Sequence, residues 1–498
     1  MAVLLGKLID GIACVTSHEG EKISSIPVSS LAYNSKKAAG GSVFFCIVGT
    51  VTDGHKYAPD AYKNGCRIFV CERELALPRD AVTITVADSR KALAQMSAAF
   101  FGHPEEKLTL IGVTGTKGKT DVASLIGKAL CDSGKQAMVI STVGVSFDGE
   151  ITPTANSTPE SYEIYSSLSR AVDGGAGYAV VEASSQGLYL SRLYGLRFKV
   201  AVFTNLSKDH IGGIEHPDFE HYKASKKKLF RMCDNAVLNR DDRHYGEFFA
   251  ACACNTVTYG IKNEADYSAS EISQSIINGR FMTEFRLDHP DGSVGCKLSL
   301  PGVINVYNAL AAAAACAVCG VGINSFARSC SDVSVRGRFE IVDTELKDRL
   351  FVIDYAHNGV SLENALKTLR PFVKGRLIAV FGSVGGRTVE RRKELAAAAK
   401  KYADLSVVTS DNPDFEPPDV IIEDIAAHMG GAVYIKETDR AAAVKKAVGL
   451  SSPGDIVLFA GKGHETYQLV NGKKQPFDER ELITSAASEK VAVRLTAE

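Results

Sequence analysis

Residues 108–130 of the chain read LTLIGVTGTKGKTDVASLIGKAL, and the fold can be predicted outward from this stretch. It opens with an apolar run, 108–113, that is long enough for a buried strand. A glycine-bearing loop occupies 114–120, and apolar residues then recur at helical spacing until Gly134. Strand, glycine loop and helix in this order are the context that a phosphate-binding loop requires.

The chemistry of this loop suits a polyphosphate. Its backbone amides point inward, and the helix N-terminus adds partial positive charge. Lys119 is expected to reach the outer phosphates, and the Thr120 hydroxyl to bind Mg²⁺. The general pattern G-x-x-x-x-G-K-[ST] requires glycine where this chain has Val113, but the Lys-Thr pair still stands at a helix start. We therefore predict an ATP site rather than an empty glycine turn, formed by Gly115, Thr116, Lys117, Gly118, Lys119 and Thr120.

Size and composition exclude several classes of protein. A chain of 498 residues is too long for one core, and 45% hydrophobic with 23% charged residues is ordinary for a globular protein. The formal net charge of −1 gives no field that attracts nucleic acid or membranes. Lys7 and Asp10 interrupt the N-terminal apolar run, so no signal peptide is predicted, and the Ala-rich stretch 309–323 suits a buried helix. A cytoplasmic protein is expected.

The twelve cysteines do not form a recognisable framework. Cys316 and Cys319 are the one C-x-x-C pair, and no second pair stands at zinc-ligand spacing. Without a secretory signal, buried free thiols are predicted for all twelve.

The apolar runs predict an α/β protein of three domains, 1–104, 105–335 and 336–498. In the first domain the polar loop 49–57 is typical of a ligand loop and equally of a surface connection. The predicted strands and helix of this domain lie at 42–48, 66–71, 82–86 and 89–101.

The second and third domains alternate near-continuous apolar strands with helices, which is typical of parallel sheets covered on both faces. Polar residues follow most of these strands, and ligands of open α/β sheets gather at strand carboxyl ends, so an active site is predicted there. In addition to the strand at 108–113, strands of these two domains are predicted at 178–182, 200–204, 236–239, 350–354, 377–381, 405–409, 432–435 and 456–460.

A series of motifs spans the chain in the order TGTKGKT, EASSQGL, TNLSKDHI, HYKASK, NVYNALAA, GRFE, DYAHN, SDNP and GKGHE. Together they resemble the Mur ligases, ATP-dependent amide-bond-forming enzymes of peptidoglycan precursor synthesis. The N-terminal segment with NSKKAAGGSVFF is similar to the MurE branch, which adds the third peptide residue to UDP-N-acetylmuramoyl-L-alanyl-D-glutamate. The resemblance implies a UDP-substrate-binding N-terminal domain, a central P-loop ATPase-like domain and a Rossmann-like C-terminal domain that binds the amino acid.

The resemblance also implies a reaction in which ATP phosphorylates the D-glutamate carboxylate and an amine then displaces phosphate. The matching catalytic positions are Lys119, Glu182, His210 and Lys226. Two Mg²⁺ ions are implied, with Thr120, Glu182, His210 and a carbamate on Lys226 as ligands. From the residues alone, 226–228 also suits a solvated helix face and His210 a structural histidine.

Two further sets match the family's nucleotide and UDP-substrate contacts. From the residues alone, the asparagines of the nucleotide set also suit helix caps, and Arg338 also suits an ion pair with Glu340. In the UDP-substrate set, the planar guanidinium of Arg192 suits a carboxylate. The nucleotide set adds Asn305, Asn308, Arg338, Asp354, His357, Asn358 and Arg387. The UDP-substrate set is Ser35, Thr52, Asp53, Gly54, His55, Asn156, Ser157, Thr158, Ser184 and Arg192.

The amino-acid site carries an informative departure from the family. Enzymes that add diaminopimelate usually have DNPR, and this chain has Asp414 in place of the arginine. Because aspartate repels a distal carboxylate and attracts an ammonium, we expect L-lysine or a similar diamine, with meso-diaminopimelate as the alternative. The GKGHE motif, typical of the diaminopimelate type, supports that alternative. The matching set is Asp411, Asn412, Pro413, Asp414, Gly461, His464 and Glu465.

Other functions fit the sequence less well. A different amide ligase of the superfamily, such as a folylpolyglutamate synthetase, is a more distant alternative, and the N-terminal segment argues against it. No G-x-G-x-x-G follows a strand with an acid about 20 residues on, so a dinucleotide-dependent oxidoreductase is not supported. We expect a monomer whose partners are ATP, the UDP-linked dipeptide and a diamino acid, with no nucleic acid and no membrane insertion.

Overall fold

The computed structural model describes residues 2–18, 20–50, 52–208, 211–212, 215–277, 279–331, 333, 335–386 and 388–497. The chain divides into two compact units. The first consists of Met1–Ser270, Arg286–Gly295 and Tyr307–Cys330, and the second of Glu271–Phe285, Cys296–Val306 and Ser331–Glu498. Since the first unit holds both N-terminal and central sequence, the predicted boundary at 104 stays a prediction.

The first unit begins with a small α/β sheet. Its elements are β1 (Val3–Leu4), α1 (Leu5–Ile9), β2 (Cys14–Thr16), α2 (Gly20–Ser24), β3 (Pro27–Val28), β4 (Ser30–Ala32), β5 (Ser42–Phe45), α3 (Ala58–Lys63), β6 (Ile68–Cys71), β7 (Val82–Val86) and α4 (Ser89–Phe100). Five strands pair in the order β2-β7-β6-β5-β4, parallel except for β2. Val43 and Phe45 enter one core and Phe44 the other, so both faces of the sheet are covered.

The same unit continues with the sheet that carries the phosphate-binding loop. Its elements are β8 (Thr109–Thr114), α5 (Lys119–Asp132), β9 (Ala137–Ser141), β10 (Gly144–Phe147), β11 (Glu150–Thr152), α6 (Ser161–Asp173), β12 (Tyr178–Glu182), α7 (Ser185–Tyr189), β13 (Phe198–Phe203), α8 (Phe219–Lys227), β14 (Cys233–Asn239), α9 (Tyr245–Phe249) and β15 (Asn255–Gly260). The parallel strands lie in the order β9-β12-β8-β13-β14-β15. Because β8 lies between β12 and β13, the loops after these three strands meet at one edge.

Four elements contribute residues to both units, and one further element, a helix, ends the first unit. They are β16 (Tyr267–Ile277), β17 (Arg280–His289), β18 (Gly292–Leu298), α10 (Val303–Val318) and then α11 (Ile323–Cys330). The Ala-rich stretch begins in α10, where Ala309 and the alanines at 311–315 are fully buried, as predicted, and Ala317 is half-buried.

The second unit is built on a six-stranded sheet. The elements are β19 (Glu340–Ile341), β20 (Leu350–Asp354), α12 (Gly359–Leu369), β21 (Leu377–Phe381), α13 (Val389–Tyr402), β22 (Leu405–Thr409), α14 (Pro418–Ala426), β23 (Tyr434–Glu437), α15 (Arg440–Leu450), β24 (Ile456–Ala460), β25 (Tyr467–Val470), β26 (Lys473–Pro476) and α16 (Glu479–Ala497). The strands lie in the order β19-β20-β24-β21-β22-β23, parallel except for β19. Separate apolar cores that include Val352 and Ile353, neighbours on one strand, cover the two faces of the sheet.

Most predicted strands are found within two residues of their predicted ends. The strand predicted at 432–435 is shifted by two residues, because Ala432 still closes a turn onto the Met429 carbonyl and β23 begins at Tyr434. Two predictions miss one end by three residues: β5 ends at Phe45 rather than at 48, and β14 begins at Cys233 rather than at 236. The predicted cysteine burial holds for eight thiols, but Cys131 is exposed and Cys14, Cys252 and Cys254 are half-buried; none of the twelve is in a disulfide. Within the described residues, every helix is too short or too polar to span a bilayer.

Candidate active site

The loop between β8 and α5 has the backbone of a phosphate-binding loop. Gly115 and Gly118 have φ values of +148° and +83°, which favour glycine. A Cβ atom on Gly115 would lie 1.9 Å from Thr204 Oγ1, and one on Gly118 would lie 2.3 Å from Asn308 Oδ1. Both positions therefore need glycine, whereas Val113 lies inside β8 and its side chain belongs to the core.

The residues after β13 shape this loop. Asn205 accepts hydrogen bonds from the Thr116 amide at 2.8 Å and from the Lys117 amide at 3.0 Å, and its Nδ2 donates to the Lys117 carbonyl at 2.9 Å. Thr204 Oγ1 donates to the same carbonyl at 2.7 Å. The sequence shows Asn205 only as a polar residue after a strand, because a side chain that shapes another loop leaves no local pattern.

Two lysine amines converge on the loop. Lys119 Nζ donates to the Gly115 and Thr116 carbonyls at 3.1 Å each, and Lys226 Nζ donates to the Gly115 carbonyl at 2.7 Å. Lys226 is 1% exposed and lies over the Tyr222 ring. The solvated-face interpretation is therefore wrong for Lys226.

Glu182, at the carboxyl end of β12, lies level with Val113 of β8. It is fully buried, and its carboxylate accepts hydrogen bonds from the amide and hydroxyl of Thr142, both at 3.1 Å. Thr158 Oγ1 donates to the Glu182 carbonyl at 2.6 Å and accepts from the Ser184 amide at 3.0 Å. The structure thus brings Glu182, Thr158 and Ser184 together, and Thr142 is a partner that the sequence did not indicate.

Arg192, predicted to bind a substrate carboxylate, is already engaged within the first unit. Its Nε donates to Glu160 at 2.9 Å and its Nη1 to the Thr158 carbonyl at 2.9 Å. A substrate carboxylate would have to share this fork with Glu160. Exposed Asn156 lines a cavity of about 450 Å³, and Ser157 beside it is half-buried.

The loop of the N-terminal sheet is held by its own side chains. Asp53 accepts from the His55 amide at 3.0 Å, contacts His55 Nδ1 at 2.6 Å and pairs with Arg73. Burial alone would raise the pKa of Asp53, but hydrogen bonds from Arg73 and His55 lower it well below its usual range. A Cβ atom on Gly54 would lie 2.6 Å from the Ile47 amide, so this loop also needs its glycine.

Ser35 and Thr52 lie in loops of the same sheet, where Ser35 opens a short 3-10 helix and the Thr52 hydroxyl is 3.4 Å from that of Tyr57. Their predicted contacts with a UDP-linked substrate stay predictions. His210 and Arg387 lie outside the described residues, and their predicted roles also stay predictions.

The predicted nucleotide residues outside the loop fall into both units. In the second unit Asn305 Nδ2 donates to the Pro301 carbonyl at 2.7 Å, and Asn358 caps α12 by accepting from the Ser361 amide at 3.0 Å. Asn308, in the first unit, packs on the phosphate-binding loop as described above. Both asparagines of the second unit therefore have structural contacts.

Arg338, His357 and Asp354 surround Tyr355 in the second unit. The Arg338 guanidinium and the His357 ring lie 5.3 Å and 4.7 Å from the Tyr355 ring centroid. Asp354 accepts a hydrogen bond from the Phe339 amide at 3.0 Å. The strand end of β20 thus carries an aromatic surface with a cation and a histidine beside it.

The loops after β22 and β24 form a buried polar cluster. Lys462, fully buried, donates to Asn412 Oδ1 at 2.7 Å and to Glu465 Oε2 at 2.8 Å, and Asn412 Nδ2 donates to the same Glu465 oxygen at 2.9 Å. Asp411 is 1% exposed, and its carboxylate oxygens accept no hydrogen bond from the described residues. Lys462 Nζ lies 3.7 Å from Asp411 Oδ1. Because a buried carboxylate without donors is unfavourable, Asp411 points to a ligand group at this place.

Two loop residues complete this arrangement. Gly461 has φ +114°, and a Cβ atom on it would lie 2.7 Å from Asp411 Oδ2. Pro413 follows Asn412, and its carbonyl would lie 1.9 Å from a Cβ atom on Gly385. The loop backbone is therefore closely packed at Gly461 and at Gly385.

Asp414 is bound to the β25–β26 hairpin. Its Oδ1 accepts from the Gly472 amide at 2.8 Å, and its backbone bonds to the Leu469 carbonyl and the Asn471 amide at 2.9 Å and 2.8 Å. Its φ is +51°, a conformation that aspartate tolerates. The carboxylate that was expected to select an ammonium group instead holds the turn of this hairpin.

His464 lies in a positive environment. Burial, and then the charges of Arg338, Arg336, Arg480 and Lys462, lower its pKa to about 4. The imidazole is therefore neutral near pH 7, and the surrounding cations favour anionic groups of a ligand.

Comparison with known proteins identifies the family. Three family models match in order: the Mur ligase family catalytic domain at 27–101, the Mur ligase middle domain at 113–316 and the Mur ligase glutamate ligase domain at 337–463. Two relatives named UDP-N-acetylmuramoyl-L-alanyl-D-glutamate--2,6-diaminopimelate ligase, from Geobacillus kaustophilus and Clostridium botulinum, are 38% and 37% identical, each over 93% of this chain and 95% of the relative. The chain belongs to the Mur ligase family. It has the three-domain α/β architecture of that family and is an ATP-dependent amide ligase.

Solved structures agree with this assignment. A UDP-N-acetylmuramoyl-L-alanyl-D-glutamate--2,6-diaminopimelate ligase aligns with a TM-score of 0.68 and 29% identity over 99% of this chain and 100% of that chain. The MurF ligase of Thermotoga maritima in complex with ADP aligns with a TM-score of 0.63 over 94% of this chain and 99% of that chain. At 20% identity the MurF ligase supports the fold alone.

Proposed function

We propose that this Mur ligase joins an amine of diaminopimelate to the D-glutamate carboxylate of UDP-N-acetylmuramoyl-L-alanyl-D-glutamate and converts ATP to ADP and phosphate. The observation that carries this proposal is the relationship, over 93% of the chain, to ligases named for these substrates. The expectation of lysine is therefore replaced by its alternative. A folylpolyglutamate synthetase is not favoured, because a Mur ligase model matches the N-terminal residues 27–101.

The second unit supports the choice of diaminopimelate on physical grounds. Asp414, the basis of the lysine expectation, is hydrogen-bonded to the Gly472 amide. The cations near His464 give this region a positive potential. Diaminopimelate has one more carboxylate than lysine and no net charge near pH 7, whereas lysine carries a positive charge, so the potential favours diaminopimelate.

The buried cluster suits the other end of such a substrate. Asp411 offers two carboxylate oxygens that accept no hydrogen bond from the described residues, and Lys462, 3.7 Å from one of them, donates to Glu465. An ammonium group would satisfy Asp411. A substrate with both ammonium and carboxylate groups therefore fits both parts of the second unit.

The first unit supplies the groups for carboxylate activation. The amides of the loop 115–120 and the Lys119 amine would hold the phosphates of ATP, so that charge developing on the transferred phosphoryl group is stabilised by donors already in place. Attack by the D-glutamate carboxylate gives an acyl phosphate and ADP. A neutral amine then attacks the acyl carbon, and phosphate leaves.

The residues present also fit Mg²⁺ and a carbamylated lysine. Glu182 is a fully buried carboxylate near the loop, and Thr120, 4% exposed, stands in the first turn of α5. A carbamate on Lys226 would place an anion beside the Lys119 amine where two amines now share the Gly115 carbonyl. Thr120, Glu182, His210 and this carbamate would hold the ions, and bound Mg²⁺ supplies charge neutralisation at the phosphates.

The decisive experiment measures ADP release and product mass with the UDP-linked dipeptide and a panel of amino acids. We expect diaminopimelate to give a kcat/KM at least about tenfold above that of lysine, a difference of about 1.4 kcal/mol. Lys119→Ala serves as the inactive control. Preference for lysine would overturn the choice of amino acid, and no turnover with any amino acid would overturn the proposed reaction. The monomeric state and cytoplasmic location stay predictions.

A further inference from the structure

A buried ion pair contacts the start of the loops after β22 and β24, here called the amino-acid loops, and the proposed chemistry does not use it. Arg440 and Glu479 open α15 and α16, and both are 0% exposed. Arg440 Nε donates to Glu479 Oε1 at 2.9 Å. The free energy lost in desolvating two charges is often larger than the free energy gained from their attraction. A buried ion pair is therefore weak evidence for a role in stability alone.

The remaining nitrogens of Arg440 reach the ends of two strands that are not neighbours. Nη1 donates to the Ser410 carbonyl at 3.2 Å, and Nη2 donates to the Ala460 carbonyl at 2.8 Å. Ser410 follows β22 and Ala460 ends β24, with β21 between these strands in the sheet. One planar side chain therefore ties together the two backbone points from which both amino-acid loops start.

We propose that Arg440 is a positioning residue for the amino-acid site and that Glu479 orients its guanidinium. The inference rests on the proposed function, because it assigns the cluster around Lys462 to the amino acid. Asn412, on the loop after β22, exchanges hydrogen bonds with Lys462 and Glu465, on the loop after β24, at 2.7 and 2.9 Å. A shift of about 1 Å in either strand end breaks these bonds, and misplacement on that scale is enough to impair a site.

The variants separate this role from a general loss of stability. Removing Arg440 alone leaves Glu479 buried without its partner, so the double variant Arg440→Met with Glu479→Leu removes both charges, a replacement that buried pairs often tolerate. Arg440→Lys keeps the charge but lacks the planar fork that reaches two carbonyls. The matched control is Arg349→Met: Arg349 has a fully buried side chain in the same unit and donates to the Ser451 carbonyl, beyond the other end of α15.

Steady-state kinetics with all three substrates give the readout. We expect both Arg440 variants to raise the KM for the amino acid about tenfold or more, while the KM values for ATP and the UDP-linked dipeptide stay within about twofold. Arg349→Met should lower the thermal midpoint and leave all three KM values within about twofold. Retention of the wild-type KM for the amino acid, or an equal rise in all three KM values, would overturn the positioning role.

Arg440→Lys decides the matter if the double variant does not fold. Failure of the proposed function itself is seen separately, because the wild-type enzyme would then turn over no amino acid before any variant is tested.

Discussion

Lys226 is 1% exposed, and its amine donates to the Gly115 carbonyl, which also accepts a hydrogen bond from Lys119. A carbamate forms when CO₂ adds to a lysine amine. We predict that Lys226→Arg, which keeps the charge but cannot form a carbamate, lowers kcat about 100-fold or more in the ADP-release assay, as loss of a charge-stabilising group does.

Added bicarbonate should not restore the Lys226→Arg enzyme. Lys227→Arg, at the next position on α8 and half-buried, is the matched control and should keep nearly full activity. Near wild-type turnover by Lys226→Arg would contradict the carbamate.

His464 gives a prediction about stability and pH. Burial and four neighbouring cations lower its pKa to about 4 from 6.5. As pH falls below about 6.5 the unfolded chain binds a proton at this residue and the folded chain does not, so stability is lost until about pH 4. Between about pH 7 and pH 5 the loss from this residue is about 2 kcal/mol.

Urea unfolding of the full chain at these two pH values measures the effect. His464→Gln should lose less stability on acidification than the wild type, by about 2 kcal/mol. His428→Gln, an exposed substitution in the same unit, should keep the wild-type change. An equal pH dependence in the wild type and His464→Gln would show that the imidazole is not held neutral.

At the scale of elements, the β25–β26 hairpin decides what Asp414 does. Its turn contains Asn471-Gly472, the dipeptide most typical of a two-residue hairpin, and the Asp414 carboxylate accepts from the Gly472 amide. Asp414→Asn keeps an acceptor oxygen and the tolerated backbone conformation but removes the charge. We predict that its preference for diaminopimelate over lysine, measured as a ratio of kcat/KM, stays within about twofold of the wild type.

Asp414→Ala serves as the companion variant. It should destabilise the protein by about 1 kcal/mol, because the Gly472 amide loses its partner. A strong rise in the preference for diaminopimelate in Asp414→Asn would restore the original charge argument, in which the Asp414 carboxylate repels the second carboxylate of diaminopimelate.

The same hairpin shows where sequence reasoning stops. Buried parallel strands such as β20 and β24 are predicted correctly because their apolar runs are continuous and end in polar residues. The phosphate-binding loop is predicted because its glycines and lysine are adjacent in the chain. Asp414 and Gly472 are 58 residues apart. The sequence therefore gives no sign that the Asp414 carboxylate accepts a hydrogen bond from the Gly472 amide. The expectation of lysine depended on an Asp414 carboxylate free to face a ligand, and this long-range hydrogen bond could not be seen in the sequence.

The predicted strands also do not include β16, β17 and β18, which are long and have alternating exposure. In β17, Phe281, Thr283 and Phe285 are buried and alternate with more exposed residues, a period-2 pattern that does mark a strand. The contact of Asn205 with the loop had no such signal. Local patterns therefore predict elements well, and they predict partners only when both lie in one motif.

At the scale of the whole molecule, the predicted groups divide between two units: the phosphate-binding loop lies in the first, and the Asp411–Lys462 cluster lies in the second. A ligand that binds only the folded chain raises its stability by about 2.7 kcal/mol at 100 times its Kd. We predict that Lys119→Ala abolishes the rise in thermal midpoint given by ATP with Mg²⁺, whereas Asn412→Ala keeps it.

With diaminopimelate added to the nucleotide-bound enzyme, Asn412→Ala should lose the further rise in thermal midpoint that the wild type shows. Differential scanning fluorimetry of the full chain checks both. An ATP shift that survives in Lys119→Ala would contradict the nucleotide site, and a diaminopimelate shift that survives in Asn412→Ala would contradict the amino-acid site.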